Sequence, residues 1–368
     1  MLDIWSLAKE RFEHSRIRAS DVEDNQREDA EGGRKEAHVI ICGSKQCGKT
    51  TLIQRVLEVN ENPRPSIALE YKFGRSVRNN VKEVGHFWEV GGGALLANLL
   101  NVPLAAKNIE TTSLVIMLDL SKSETLWNTM ETLLEASRKR VDEILREVNR
   151  TNPHLHELLL RRAKNRVGNH RDVDSMRVFP IPLALVGGKY GEFQNLDTDT
   201  RRTISRALRF VAHFNGASLH FLSNRLEHLV TRGKALLGHF AFGKSFPKGV
   251  STDFNKPLAV SFGSDSFEDI GIPVENISRA AIRSVNAYEL WKDHFCERFP
   301  QEREGGESEH DPSNDKKFSE PEIDKLLEEK MRDLEMYIKQ KKDREQLQAR
   351  SEEVEKKKPQ REFDFASD

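Results

Sequence analysis

The sequence predicts an α/β domain with a doubly wound, mostly parallel sheet. Two observations support this fold class. Short apolar runs that suit buried strands alternate along the chain with longer segments of helical periodicity. One of these runs, residues 38–42, leads directly into a glycine-containing loop and then into a helical pattern. At 368 residues and 37% hydrophobic content, the chain can bury one large core and still carry extensions at both ends.

The N-terminal segment, residues 1–36, predicts a helix followed by a linker. Five apolar side chains fall on one helical face: Ile4, Trp5, Leu7, Ala8 and Phe12. Residues 20–36 are charged and have no hydrophobic period, which favours a linker. Acidic and basic residues lie among the first apolar ones, so we expect no signal peptide here.

The core domain is predicted at residues 37–245. Its helices are expected at 51–57 and 124–148, and its strands at 38–42, 66–73, 86–90, 114–118, 182–186 and 218–222. The run at 114–118 is continuously apolar, which is typical of a central strand. Residues 151–177 are rich in Arg and His and show little apolar pattern, so they predict a surface insertion.

Residues 246–300 predict an extension that wraps onto this core. They contain one strand-like run at 258–262 and a helical pattern at 287–299. In that helix Leu290, Trp291 and Phe295 have the spacing of side chains that pack together.

The tail, residues 301–368, carries 21 acidic and 15 basic residues, a composition that cannot bury enough apolar surface to fold alone. One amphipathic helix is predicted within it at 320–340, because Ser319 and Glu322 form a capping box around Pro321. Its narrow apolar stripe comprises Ile323, Leu327, Met331, Leu334 and Ile338. The stripe suits either a partner helix or groove, or a solvated single helix, and the chain from Lys339 onward is predicted to be disordered.

Composition excludes several function classes. The formal net charge of −1 gives no electrostatic reason to expect nucleic acid or a membrane surface as a partner. Nowhere does an uncharged apolar stretch reach the ~18 residues of a membrane-spanning helix. The three cysteines have neither metal-ligand spacing nor an even disulfide framework, which favours a reduced, intracellular setting for a soluble protein.

The most informative motif is GSKQCGKT at residues 43–50, a complete phosphate-binding loop between a strand and a helix. Its glycines let successive backbone N–H groups face phosphate oxygens, and the following helix adds its positive end. The predicted cofactor-binding residues are Gly43, Ser44, Lys45, Gln46, Cys47, Gly48, Lys49, Thr50 and Thr51. Lys49 is expected on the β- and γ-phosphates and Thr50 on Mg²⁺.

The spacing of further motifs predicts a Ras-like P-loop G domain that lacks the side chains needed for nucleotide hydrolysis. Ser66 follows Lys49 by 17 residues, where a switch-loop hydroxyl would be the second predicted metal ligand. Glu89 stands where such domains carry the Asp of D-x-x-G. Gly93 occupies the position of the water-orienting Gln, so hydrolysis lacks its positioning side chain.

Guanine recognition is also incomplete in the sequence. The strand at 182–186 leads into Gly188-Lys189-Tyr190-Gly191, where guanine-specific domains carry N-K-x-D. Lys189 is retained and its stem could cover a base, whereas both glycines lack the side chains that bind guanine. Lys45 and Gln46 add bulk within the phosphate loop at places often held by glycine.

Four interpretations of this pocket remain open at the sequence level. A bound guanine nucleotide, GDP or GTP with Mg²⁺, would stabilise a scaffold without turnover. The pocket could instead be vestigial and empty. A weak GTPase switch would need a partner to supply the missing groups. The fourth interpretation is a P-loop ATPase or kinase. Such enzymes carry an acidic residue at a strand end, and Asp119 is the only candidate for it. In a Ras-like order of elements, however, Asp119 simply ends a strand.

The chain closely resembles the dynein light intermediate chains over roughly residues 1–300. The resemblance rests on GSKQCGKTTL at 43–52, PSIALEY at 65–71, HFWEVGG at 86–92, RFVAH at 209–213 with GASL at 216–219, NKPL at 255–258 and DSF at 265–267. Several of these segments have no role in nucleotide chemistry, so the resemblance is more specific than the phosphate loop. Gly191 departs from the family, whose members more often carry a carboxylate there.

The resemblance implies a non-catalytic motor subunit. In this family a Ras-like domain packs on the helical tail of a dynein heavy chain, and here the dynein-2 branch is the nearer one. The implied partners are the dynein-2 heavy chain tail, the other dynein-2 subunits and the intraflagellar transport machinery. The implied locations are the cytoplasm, the cytoskeleton and the cilium, including the axoneme and basal body. The insertion at 151–177 and the segment 258–299 are the expected contacts with the heavy chain, while the tail helix could bind an adaptor or cargo, or pack along the heavy chain.

Overall fold

The computed structural model describes residues 36–78, 81–168, 170–247, 249–273, 287–302 and 321–356. The chain divides into two compact units, residues 1–304 and residues 305–368. The predicted N-terminal helix, nearly all of the linker and the capping residue Ser319 lie outside the described residues.

The first unit is built on a seven-stranded sheet in the order β2-β3-β1-β4-β5-β6-β7. The strands are β1 (Glu36–Gly43), β2 (Leu69–Arg78), β3 (Val81–Val90), β4 (Thr112–Asp119), β5 (Leu183–Gly188), β6 (Ser218–Phe221) and β7 (Ala259–Val260). The five strands from β3 to β6 in this order pair in parallel, while β2 and β7 pair antiparallel at the two edges. The predicted doubly wound, mostly parallel sheet is therefore confirmed.

Helices cover both faces of this sheet. They are α1 (Lys49–Val56), α2 (Ser123–Thr151), α3 (Pro153–Val167), α4 (Tyr190–Phe193), α5 (Thr198–Phe214), α6 (Glu227–Phe242), α7 (Phe267–Ile270) and α8 (Ala287–Arg298). Short 3₁₀ segments occur at Gly93–Asn101, Ile109–Thr111 and Val173–Ser175. Alternate residues of β1 enter two different apolar clusters, Val39 and Ile41 with α1 and α6, Ile40 and Cys42 with α2 and α5. Burial on both faces explains why these strands are continuously apolar.

The insertion at 151–177 is more ordered than its composition suggests. Asn152 caps α3 by accepting a hydrogen bond from the backbone N–H of Leu155 at 3.1 Å, and Pro153 occupies the first turn. Leu159, Ala163 and Val167, spaced by four residues, are buried. The expectation of little apolar pattern is wrong for this helix, because three small or aliphatic residues at helical spacing suffice to dock it. The other side chains of α3 are exposed or half-buried, as expected of a surface insertion.

Residues 246–300 contribute both a strand and a helix. Only Ala259–Val260 of the strand-like run at 258–262 joins the sheet, against β6. In α8 the ring of Trp291 stacks on Phe210 of α5 with centroids 5.3 Å apart, and Phe295 lies 5.3 Å from Trp127 of α2. Both side chains of α8 belong to the main apolar cluster.

The second unit contains a single described helix, α9 (Pro321–Lys356). It extends well past the predicted end at residue 340, so the prediction of disorder beyond Lys339 is wrong up to Lys356. The side chains of the apolar stripe, Ile323, Leu327, Met331, Leu334 and Ile338, are all more than half exposed.

Candidate nucleotide and metal site

The phosphate loop lies between β1 and α1, and its first glycine is required by contact with β4. Gly43 has a φ of 138°, and a Cβ built there would lie 1.7 Å from the carbonyl oxygen of Met117. The backbone N–H of Ser44 donates to that same carbonyl at 2.9 Å. Gly48 also has a positive φ, 98°, at the start of α1. The loop backbone is therefore held against the sheet in a conformation that only glycine adopts freely at these two positions.

Lys49 is folded into the loop. Its side chain is buried, and Nζ donates to the carbonyl oxygens of Gly43 at 3.1 Å and Ser44 at 2.8 Å. The ammonium group is thus held by backbone carbonyls of the loop. A phosphate bound in the loop would meet this positive charge.

The other side chains of the loop have mostly structural contacts. Ser44 Oγ accepts a hydrogen bond from the backbone N–H of Asp119 at 3.2 Å, and Cys47 Sγ donates to the carbonyl of Met117 at 3.4 Å. Burial raises the pKa of Cys47 to about 11, so this thiol stays protonated and unreactive near neutral pH. Gln46 adopts a φ of 57°, which costs about 1–2 kcal/mol for a non-glycine residue. Lys45 is half-buried in the same loop.

The two predicted metal ligands are placed around Glu89. Thr50, in the first turn of α1 beside the half-buried Thr51, donates its hydroxyl hydrogen to Glu89 Oε1 at 2.8 Å. Ser66 Oγ is buried and makes no hydrogen bond of ordinary geometry within the described residues, yet it is near enough to lower the pKa of Glu89. The backbone N–H of Gly91 donates to the Ala68 carbonyl at 2.6 Å, which closes the switch-like loop onto the end of β3.

Glu89 has one carboxylate oxygen without a partner. Oε2 is buried and unbonded within the described residues, and the residue is 3% exposed. Burial raises the pKa of Glu89, while the hydrogen bond from Thr50 and the charge of Lys49 act in the opposite direction. An orphaned carboxylate oxygen beside two hydroxyls is an all-oxygen donor set, the type that Mg²⁺ prefers. The residues therefore fit the metal that the phosphate loop implies, with Glu89 beside the predicted metal ligand Thr50.

The water-positioning side chain is missing in the structure as in the sequence. Gly93 begins a 3₁₀ segment with a φ of 65°, and Gly92 before it has a φ of 73° with Leu96 packed over its Cα. A side chain at either position would be strained. This turn offers backbone N–H groups and no group that could orient a water for attack.

At the end of the pocket where a base would bind, Lys189 is held by an ion pair that the sequence does not predict. Lys189 Nζ lies 2.7 Å from Asp119 Oδ2, a carboxylate that is almost completely buried and whose other oxygen accepts hydrogen bonds from Ser121. Asp119 does more than end a strand, since it anchors Lys189 by an ion pair. The parallel pairing of Asp119 with Gly188 brings these residues together, and sequence spacing alone does not show that register.

The two glycines of this loop have opposite surroundings. A Cβ at Gly188 would lie 2.6 Å from the backbone oxygen of Cys47, so the strand end packs directly on the phosphate loop. A Cβ at Gly191 would meet only Ser223 Oγ, at an ordinary 3.6 Å. Asn224, on the loop after β6, has its amide nitrogen 2.4 Å from where a Cβ on Gly48 would be.

Comparison with known proteins identifies the family. The family description "Dynein light intermediate chain (DLIC)" matches residues 20–176. A curated zebrafish (Danio rerio) protein, cytoplasmic dynein 2 light intermediate chain 1, is 38% identical over 91% of this chain and 94% of its own length. The chain belongs to the dynein light intermediate chain family. The human protein of the same name is 37% identical over the same shares of both chains, and the mouse protein likewise.

The fold of this dynein light intermediate chain matches a solved structure of the family. A crystal structure of the conserved domain of a dynein light intermediate chain covers 71% of this chain and 91% of its own, with a TM-score of 0.51 and 17% identity. At that identity the match supports the fold alone, which is Ras-like as predicted.

The relatives are named as light intermediate chains of dynein, a name that is consistent with an accessory subunit rather than an enzyme. Among the described helices, none combines the length and apolar character needed to cross a membrane.

Proposed function

We propose that this light intermediate chain is a non-catalytic accessory subunit of cytoplasmic dynein-2, where it binds and stabilises the heavy chain tail. The observation that carries the proposal is its identity of 36–38% to curated dynein-2 light intermediate chains over 91% of the chain. Its role would lie in retrograde intraflagellar transport and cilium assembly. The protein would then be found in the cytoplasm, on the cytoskeleton and in the cilium, at the axoneme and basal body.

The incomplete nucleotide site favours a subunit that does not hydrolyse nucleotide. Gly93 supplies no water-positioning side chain, and catalysis in this class depends almost wholly on positioning and electrostatics. We expect GTP turnover at background level, equal in the wild type and in Lys49→Ala.

The decisive experiment is affinity purification of the tagged full-length protein from ciliated cells, with partners identified by mass spectrometry. Stoichiometric recovery of the dynein-2 heavy chain and its intermediate chains is the expected result. If no dynein component is recovered under conditions that preserve the complex, the accessory-subunit proposal is wrong.

The basic face of α3 is our proposed heavy-chain contact within the insertion. Arg161 and Lys164 are both exposed there. The variant Arg161→Glu/Lys164→Glu is expected to reduce heavy-chain recovery at least about tenfold, because reversing two charges at an interface costs several kcal/mol. The matched control, Arg55→Glu/Lys107→Glu, changes the net charge equally at exposed positions on α1 and on the loop before β4. Equal recovery in the two variants would move the contact away from α3.

We also propose that the phosphate loop holds a guanine nucleotide, GDP or GTP with Mg²⁺, as a structural element. Lys49 and the loop amides would bind the phosphates, while Thr50 and Ser66 would hold the metal next to Glu89. Such a ligand favours the folded state by mass action without turnover. Lys189, although paired with Asp119, keeps its stem half-exposed at the base-facing end.

Denaturation of protein purified without added nucleotide, followed by chromatography of the supernatant, tests this second proposal. About one equivalent of guanine nucleotide is expected from the wild type and none from Lys49→Ala. Gly191→Asp, placed where a Cβ is tolerated, should increase the preference for guanine over adenine. A wild-type chain that is empty and gains no stability from added GDP or GTP would leave the pocket vestigial.

A further inference from the structure

A second group of metal-ligating side chains lies on the sheet, at the start of β1. Glu36 and His38 are two residues apart on this strand and so point to the same face. His86 of β3 is the register partner of His38 in the parallel pairing. Strand geometry alone therefore brings a carboxylate and two imidazoles together.

The three side chains are close in the structure. The rings of His38 and His86 stack with centroids 4.5 Å apart and an angle of 14° between their planes. His86 Nε2 lies 4.0 Å from Glu36 Oε2. One ligand atom from each of the three residues lies within 4.8 Å of the others.

Two ring nitrogens of these histidines have no hydrogen-bond partner within the described residues. His38 Nδ1 and His86 Nε2 are both buried, and neither makes a hydrogen bond there. His86 Nδ1 lies 2.7 Å from the hydroxyl of Tyr71 on β2. When Nδ1–H donates to that oxygen, the lone pair is left on Nε2, which is how an outer partner orients a metal-binding histidine.

The charges around the group also favour a ligand role. Burial lowers the pKa of His38, and His86 and Lys107 act in the same direction, while Glu36 acts against them. Glu36 is exposed and supplies the negative charge.

A second triad in the same unit, His170, Asp172 and His213, differs because its ligand atoms take part in hydrogen bonds. His213 Nε2 lies 2.9 Å from Asp172 Oδ2, and the backbone N–H of Phe267 donates to that oxygen at 2.9 Å. The backbone N–H of Asp172 donates to His170 Nδ1 at 3.1 Å. These ligand atoms already have hydrogen-bond partners, so the triad ties the insertion to α5 and to the first residue of α7.

We propose that Glu36, His38 and His86 form a binding site for a divalent transition-metal ion of the zinc type. Two imidazoles and one carboxylate are a known ligand set for Zn²⁺, with a fourth position left for water. A tetrahedral ion needs ligand atoms about 3.3 Å apart at metal–nitrogen distances of ~2.0–2.1 Å, so binding requires a rotation of the stacked rings. The bound ion would hold the start of β1 against β3.

Zinc titration of the full-length protein, stripped of metal by chelator and then dialysed, tests the site by calorimetry and thermal unfolding. One equivalent of Zn²⁺ is expected to bind and to raise the unfolding temperature. His38→Asn and Glu36→Gln should each weaken binding at least about tenfold, and Tyr71→Phe by about tenfold as an orienting partner. Cobalt in place of zinc should give the visible bands of a tetrahedral ion, which His38→Asn should abolish.

A matched control separates this site from other sources of binding. His170→Asn, in the hydrogen-bonded triad, should leave zinc affinity unchanged. Glu36 is exposed, so Glu36→Gln should stay folded and report on binding even if a histidine variant unfolds. The proposal is overturned if the wild type binds no zinc, or if Glu36→Gln and His38→Asn bind it as tightly as the wild type does.

Discussion

At the residue scale, His220 is a buried side chain that the proposed functions do not use. It lies on β6 against the ring of Phe246, and both of its ring nitrogens are buried without a hydrogen bond in the described part of the chain. Burial, with a smaller contribution from Arg232, lowers its pKa to about 3. The folded protein therefore keeps this imidazole neutral at pH values where an unfolded chain would protonate it.

His220 should make the fold sensitive to acid. At pH values between the ordinary pKa of 6.5 and the folded value of about 3, His220 is protonated in the unfolded state and neutral in the folded state. The free energy of unfolding is therefore not reduced by this group above pH 6.5. Below that pH it falls, with a slope of up to about 1.4 kcal/mol per pH unit for His220 alone. Urea unfolding at a series of pH values between 7.5 and 4 measures the slope.

The variant His220→Leu isolates this contribution from those of other histidines. It should flatten the slope and, by removing two unsatisfied polar atoms, raise stability at pH 7 by about 1 kcal/mol. His38 and His213, whose pKa values burial also lowers, remain in both proteins and cancel in the comparison. An unchanged slope in His220→Leu would show that His220 is solvated or partnered in solution.

The glycines at 188 and 191 give a second prediction at this scale. Gly188→Ala should destabilise the protein by about 1–3 kcal/mol, because its Cβ would meet backbone that cannot move aside. Gly191→Ala should stay within about 0.5 kcal/mol of the wild type, since its Cβ meets only a side-chain oxygen at contact distance. Chemical denaturation of the pair measures the difference. Equal effects would mean that β5 does not pack on the phosphate loop as described.

At the scale of elements, a buried ion pair attaches the segment before α7 to α5. Arg209 donates to both carboxylate oxygens of Asp265, at 2.6 and 2.8 Å, and both side chains are more than nine-tenths buried. Asp265 also accepts a hydrogen bond from the backbone N–H of Ser266, which begins α7. The pair thus fixes where the C-terminal extension leaves the sheet and returns to the helical layer.

Replacing only one residue of this ion pair should lower the free energy of unfolding far more than replacing both residues with apolar ones. Arg209→Met leaves a buried carboxylate without its partner and should lower the free energy of unfolding by about 3–5 kcal/mol. The double variant Arg209→Met/Asp265→Leu should lose clearly less than the sum of the single variants, since no charge remains buried. A double-mutant cycle by urea unfolding provides the test, and strictly additive losses would contradict it.

The sequence predicts elements well where the signal is local and poorly where it depends on register. The phosphate loop and the buried strands β4 and β5 follow from short patterns. The hydrogen bond between Thr50 and Glu89 is a contact that the structure adds. The ion pair of Asp119 and Lys189 joins residues 70 positions apart and depends on how two parallel strands align. Helix α3 was missed because its three buried positions are diluted by Arg and His on the exposed side.

At the scale of the whole molecule, the two units differ in what stabilises them. The first unit has a continuous apolar core on both faces of its sheet, which includes the aromatic side chains of α8 from the C-terminal extension. The described side chains of α9 in the second unit are exposed, and its helix has charged pairs such as Arg332 with Glu328 on its surface. Exposed pairs of this kind contribute only about 0.3–0.5 kcal/mol each, so α9 has little intrinsic stability.

Removal of the tail should therefore leave the first unit intact. A chain ending at Glu304 keeps every residue of the apolar clusters, and we expect its thermal midpoint to stay within about 2 °C of the full-length value. The helical signal at 222 nm should fall, as α9 is lost, while tryptophan fluorescence, from residues in the first unit, should be unchanged. A drop in the midpoint of more than about 5 °C would mean that the tail contributes more than 1 kcal/mol to the first unit.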